Sequence, residues 1–216
     1  MAFLYVHFGK NLRSGWAYVR SVYGAFGADP GWSWDAVASN TRGFRDWLSA
    51  NESRIRATGR GFGNHRKYES LSAVSDRGTG AAVESYVKWI LGYGNHEALI
   101  AESMSASGGD PRAAFEWMVK RSALNVSRFG RTASFDYVNL ISWTGLAEVE
   151  AGSCHIGGST GPRRGAELLY GKGSTAQQYE QYLAQLCSDL DVPFDVMEDA
   201  LCNWQKSPKH FKQFRG

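Results

Sequence analysis

The feature that most constrains this chain is a helical period that recurs along nearly its whole length, with each stretch carrying its own start signal. In "GGDPRAAFEWMVKRSAL", Asp110 is an N-cap, Pro111 fits the first turn, and Phe115, Met118 and Val119 fall on one face. In "STAQQYEQYLAQLCSDL", Thr175 and Gln178 form a capping box, followed by Tyr179, Tyr182, Leu183, Leu186 and Leu190 at helical spacing. "SGWAYVRSVYGAF", "WSWDAVASNTRGFRDWLSAN" (with Ser33 as cap), "AAVESYVKWILGYG" and "PFDVMEDALCNWQ" repeat the pattern. Strand signals are weak; "FLYVHF" reads as a short strand or as the start of a helix. The expectation is an all-α fold, a single compact helical domain over residues 1–216, with irregular loops near 55–68 and 147–161.

Length and hydropathy agree with one folded domain: 216 residues, 43% hydrophobic. No apolar run approaches membrane-spanning length, so no membrane partner is expected. The N-terminus lacks a basic region before its apolar residues and makes a poor signal peptide. Cys154, Cys187 and Cys202 form no C-x-x-C pair, which suits a reducing cytoplasm and argues against structural zinc. The net charge of +3 is too mild to indicate nucleic acid, so clustering of the basic residues must carry that argument.

Four stretches carry candidate chemistry. "GPRRGAELLYG" places Arg163 and Arg164 in the first turn of a helix, where the helix field opposes cations. Either both point into water, or an anion sits there, held by Thr160, Gly161, exposed N–H groups and two guanidinium forks. "ESRIRATGRGFGNHRKYESL" gathers Arg54, Arg56, Arg60, His65, Arg66 and Lys67 with Phe62 and Tyr68, and has no acid from Ile55 to Tyr68. It reads as a phosphate and base-stacking surface or as a solvated loop. In "FGRTASFDYVNLISWTG", Thr132, Asp136, Asn139 and Trp143 share one side of a helix otherwise rich in apolar residues. That side faces water or lines a pocket; in a pocket, Asp136 is a general base and Asn139 a reader of a base edge. The basic tail Lys206, Lys209, His210, Lys212 and Arg215, broken by Phe211 and Phe214, suits a DNA backbone or mere solubility. P-loop and zinc-deaminase motifs are absent from the sequence.

The order of "GFGNHRKYES", "FGRTASFDYVNLISWTGL", "CHIGGSTGPRRGAELLYG" and "EDALCNWQKS" resembles bacteriophage amino acid:DNA transferases, which are related to the α-glutamyl/putrescinyl thymine pyrophosphorylases of thymine hypermodification. The resemblance covers roughly residues 50–205. It implies a fold similar to helical DNA glycosylases and a reaction in which an amino acid, glycine through its amine, displaces pyrophosphate from 5-(pyrophosphoryloxymethyl)deoxyuridine in DNA. Serine joined through oxygen is the other candidate nucleophile.

The partners so implied are double-stranded phage DNA carrying modified thymine and a free amino acid, in the host bacterial cytoplasm during infection. No cofactor is called for beyond a divalent metal that could ride on the pyrophosphate; no dedicated metal cluster is visible in the sequence. Arg66, Lys67, Arg131, Thr160, Gly161, Arg163 and Arg164 are the expected phosphate ligands, and Asp136 or His65 the base. Tyr137, Asn139 and Trp143 would form the pocket for a flipped base. The alternative is a DNA-binding or glycosylase-like helical protein that acts on modified bases without amino-acid transfer.

Overall fold

A computed structural model describes residues 1–29 and 31–210. Among these are eleven α-helices and no strand, only two isolated bridges, Asn11 with Gly15 and Ser70 with Gly78. The fold is all-α, as the periodicity predicts. Helices α1 (Ala2–Phe8), α2 (Ala17–Tyr23), α3 (Trp34–Ser39), α4 (Thr41–Thr58), α5 (Thr79–Leu91), α6 (His96–Ala106), α7 (Pro111–Asn125) and α8 (Arg131–Trp143) surround the larger hydrophobic core. Helices α9 (Gly161–Tyr170), α10 (Ala176–Leu190) and α11 (Phe194–Trp204) close on a smaller one built from Ile156, Ala166, Tyr179, Leu183 and Leu201. Phe194 packs against both.

The capping signals do what their chemistry requires. The Ser33 side chain accepts from Ala36 N–H, Asp110 from Arg112 N–H, and the Thr175–Gln178 box closes in both directions. Three details differ from the sequence reading. "FLYVHF" is helix, because Phe3, Val6 and Phe8 all bury on the core. The stretch after Ser33 is two helices, since Asn40 leaves helical geometry and its side chain caps α4 at Gly43 N–H. Helix α4 runs on to Thr58, so the loop expected from residue 55 begins only at Gly59.

Helix α8 is fixed by its buried face. Ala133, Phe135, Tyr137, Val138 and Ile141 pack into the larger core. The Tyr137 hydroxyl lies 3.1 Å from the Tyr86 hydroxyl, which lies 2.8 Å from His96 Nε2. Helix α9 is fixed against α11 by two glycines. A Cβ on Gly165 would lie 2.7 Å from the Leu201 carbonyl oxygen, and one on Gly161 would lie 2.7 Å from Cys202 Sγ. Gly161 is therefore small because α11 passes over it, a packing reason independent of any ligand. Just before α9, the Glu180 carboxylate accepts from the N–H groups of Cys154 and Ile156 and ties this loop to α10.

Candidate active site

Between α8 on one side and α11 on the other is a cavity of about 950 Å³. The end of α1 and the loop after it form one wall, with Tyr5, Val6, Gly9 and Lys10; the segment Gly158–Pro162 forms another. A shallower groove of about 740 Å³ adjoins it, running along residues 123–133, and the two share His65, Arg66, Arg131, Thr132 and Gly158.

The polar stripe of α8 faces this cavity: Thr132, Asp136, Asn139 and Trp143 all line it. Solvent reaches Asp136 through the cavity mouth, yet protein surrounds the carboxylate on most sides. That burial pushes its pKa up to about 7; the Glu198 and Asp199 carboxylates add to the rise, and Arg66 and Arg131 oppose it. Asp136 makes no hydrogen bond with a described residue. Asn139 is only 4% exposed, and its carboxamide likewise has no hydrogen-bond partner among them. Its polar atoms are not among the fully buried unpaired ones, so they open on the cavity, where water or a ligand can supply their bonds. Trp143 is 66% exposed, and its indole N–H donates to Asp195 at 2.6 Å, which orients the ring across the mouth.

Arg131 opens α8. It donates to the His155 carbonyl and lies 3.5 Å from Glu198, while its Nε is buried without a partner. His155 is itself held in place, with its ring packed on Phe135 at 4.7 Å and bonded to Glu116 at 2.7 Å. Neither Gly130, which caps α8, nor Thr160, which caps α9, places a side chain over its helix start. Two helix N-termini thus meet the cavity system with uncovered N–H groups.

The structure relocates several expected residues. Tyr137 is not in the cavity: it is 2% exposed, bonded to Tyr86 inside the core, because its position on α8 faces α5 rather than α11. Arg66 lines the cavity but is 8% exposed and already committed, donating to the carbonyls of His7 and Arg128 at 3.2 and 3.0 Å. It acts as a brace that contributes field. His65 lines both spaces; burial and the Lys206 ammonium lower its pKa, and Asp199 opposes this.

Lys67 is exposed outside the lining, its ammonium 5.0 Å from the Tyr68 ring. Thr160 and Gly161 line the cavity. Arg163 and Arg164 do not: both are exposed on the outer side of α9, and Arg163 pairs with Glu167 one turn on at 3.2 Å. The basic tract is divided too, with Arg54 stacked 3.9 Å from Phe26 and Arg56 paired with Glu52. In the tail, Phe211, Lys212, Phe214 and Arg215 lie outside the described residues.

Sequence reasoning missed the wall opposite Asp136. Asp195, Glu198, Asp199 and Cys202 line the cavity from α11, and Lys10 does so from the loop after α1. Burial raises the Glu198 pKa, opposed by Arg131. The signal was present in the spacing of Asp195, Glu198 or Asp199, and Cys202, a polar stripe at helical period beside the apolar one. No group of three or more His, Cys, Asp or Glu side chains among the described residues is arranged to hold a metal ion.

A family model for alpha-glutamyl/putrescinyl thymine pyrophosphorylase clade 3 matches residues 1–216. The chain belongs to this family. It is thereby an enzyme of thymine hypermodification, acting on modified thymine in DNA. The match spans the N-terminal residues as well as the motifs, so the α1 wall of the cavity lies within the family region. No curated protein and no solved structure matches the chain.

Proposed function

We propose that the cavity takes a thymine-derived base extruded from DNA and exchanges its pyrophosphate for an amine, with glycine as the favoured nucleophile. The observation that carries this reading is the pair on α8: the Asp136 carboxylate and the Asn139 carboxamide face one cavity, a turn apart, with neither bonded to a described residue. A carboxylate whose pKa stands near 7 suits a general base at neutral pH. A carboxamide can pair with both a donor and an acceptor on a base edge, and Trp143 offers a stacking face.

The exchange forms a carbon–nitrogen bond at the exocyclic methylene carbon and breaks its carbon–oxygen bond. Pyrophosphate leaves with the bonding pair, and the amine proton passes to Asp136. His65 is the alternative acceptor. The leaving group fits where the two spaces join, beside the Arg131 guanidinium and the uncovered starts of α8 and α9. Carboxylates on α11 favour an entering ammonium group, and Lys10 offers a partner for the glycine carboxylate. The setting is the cytoplasm of the infected host.

The test is chemical. The protein is incubated with DNA carrying 5-(pyrophosphoryloxymethyl)uracil and glycine, the DNA is digested, and the nucleosides are weighed. A glycine-substituted nucleoside is expected. Release of a free base would assign a glycosylase instead, and unchanged nucleosides would leave only a binding protein.

A further inference from the structure

Leu12 stands at the edge of the cavity with 65% of its surface exposed. Isolated exposed leucines are ordinary, but this one sits on a turn that is unusually well tied down. Asn11 and Gly15 exchange both backbone hydrogen bonds, at 3.0 and 2.8 Å. Inside that ring, Asn11 Oδ1 accepts from Arg13 N–H, Ser14 N–H and the Ser14 hydroxyl, at 3.0 to 3.1 Å. The Asn11 amide donates to the Phe62 carbonyl at 3.1 Å, and Arg60 N–H donates to the Ser14 hydroxyl at 2.9 Å. Behind the turn, a Cβ on Gly63 would lie 2.7 Å from the Gly9 carbonyl carbon, so the two loops touch backbone to backbone.

Nothing in this bonding serves the leucine itself. The turn holds an apolar tip in water, next to a cavity that opens toward the Asp136 carboxylate. Lys10, Arg13 and Arg60 surround the tip, all exposed, and none forms an ion pair with a described residue. A rigid aliphatic tip ringed by such cations matches the duplex in two ways. The cations meet backbone phosphates, and the tip meets the stacked bases, where apolar side chains insert between steps and unstack them.

We propose that Leu12 is a wedge: it enters the base stack of duplex DNA and fills the space vacated by the nucleotide drawn into the cavity. It is a positioning residue, acting on the duplex and not on the reacting atoms. This inference rests on the base extrusion of the proposed function, but not on the identity of the nucleophile.

The experiment uses the full chain and a duplex with one 5-(pyrophosphoryloxymethyl)uracil and 2-aminopurine as its 3′ neighbour. Binding is followed by anisotropy, unstacking by 2-aminopurine fluorescence, and transfer by nucleoside mass on duplex and on single strand. With wild-type protein, fluorescence should rise on binding. In Leu12→Ala the rise should vanish and duplex turnover fall about tenfold or more, while single-strand turnover stays within about twofold, since a single strand needs no unstacking. Leu12→Phe, which keeps an apolar tip, should retain the fluorescence rise.

Equal fluorescence from wild type and Leu12→Ala, or an equal loss of turnover on both substrates, overturns the wedge. So does a wild-type protein that binds the duplex without any fluorescence rise. A rise that depends on Leu12, found without amine transfer, supports the wedge and removes the transfer reading alone.

Discussion

Two titratable side chains have strongly shifted pKa values, and the protein treats them in opposite ways. His7, on α1, is fully buried in the larger core, with Nε2 2.9 Å from the Thr79 hydroxyl. Burial, aided by Arg66 and Arg128, pushes its pKa down to about 3, so the ring stays neutral. Asp136, on α8, is pushed up to about 7 and is given no hydrogen bond by a described residue. His7 lines neither cavity, and its Nδ1 is buried without a partner among the described residues. Around Asp136 a cavity is kept open and a second set of carboxylates faces it from α11. A histidine can be closed into a core by desolvation, whereas an acid poised between charged and neutral forms has to be maintained against the fold's own tendency to pair it.

The largest effect expected from breaking this contrast is on turnover. Asp136→Asn should keep DNA affinity and lose about 10²–10⁴-fold in rate, the usual contribution of a general base; near-normal rates would transfer that role to His65. Next comes Asn139→Ala, which removes a base-edge partner worth about 1–3 kcal/mol. It should raise KM for modified DNA more than for glycine, as initial rates over a grid of both substrates will show.

The His7 side of the contrast is sharpened by acid. The unfolded histidine titrates near 6.5 and the folded one near 3, so below pH 6.5 only the unfolded chain gains the proton, and stability falls as pH drops. The slope is about 1.4 kcal/mol per pH unit for one such group. Asp136 titrates in the same window with the opposite sign, so urea melts between pH 7 and 4 should show the His7 slope in the Asp136→Asn background, and adding His7→Gln there should flatten it.

How much of this was legible in the sequence depended on which part of a residue's surroundings is local. Helix starts at Ser33, Asp110 and Thr175 could be read because a cap and its N–H lie within three residues. The α8 stripe could be read because helical period alone puts Thr132, Asp136, Asn139 and Trp143 together. Tyr137 could not be excluded from the pocket, because its facing depends on Tyr86, 51 residues away. The Arg66 brace to the His7 and Arg128 carbonyls, and the approach of Glu198 to Asp136, are likewise contacts between distant segments. Arg163 and Arg164 drew notice because they oppose the helix field, yet they lie on the solvent side of α9.

Smaller effects probe the α11 wall and the α9 arginines. Glu198→Gln removes a carboxylate that raises the Asp136 pKa and releases Arg131 from its pair. Both changes favour ionised Asp136, so the half-maximal point of the rate against pH should move below 7; an upward movement would remove Glu198 from this role. Arg163→Ala and Arg164→Ala should matter least. Exposed charges are worth about 0.2–1 kcal/mol, so DNA affinity should weaken only slightly and chiefly at low salt.

The central claim is that Asp136 is kept ionisable for chemistry at some cost to the fold. Its unfolded carboxyl titrates near 3.8 and its folded one near 7. At pH 7.5 the folded state therefore holds a carboxylate that the unfolded state accommodates more easily, and the Asp136 contribution to stability increases as pH falls from 7 toward 4, against the slope set by His7. Asparagine at this position keeps the shape without the charge. Water in the cavity screens much of the penalty, so Asp136→Asn should gain on the order of 1 kcal/mol, or about 2–4 °C in Tm for a domain of this size. Melting wild type and Asp136→Asn side by side at pH 7.5 tests this directly. A higher Tm is expected in the variant that has lost turnover; a lower Tm would make Asp136 a structural partner and contradict the claim.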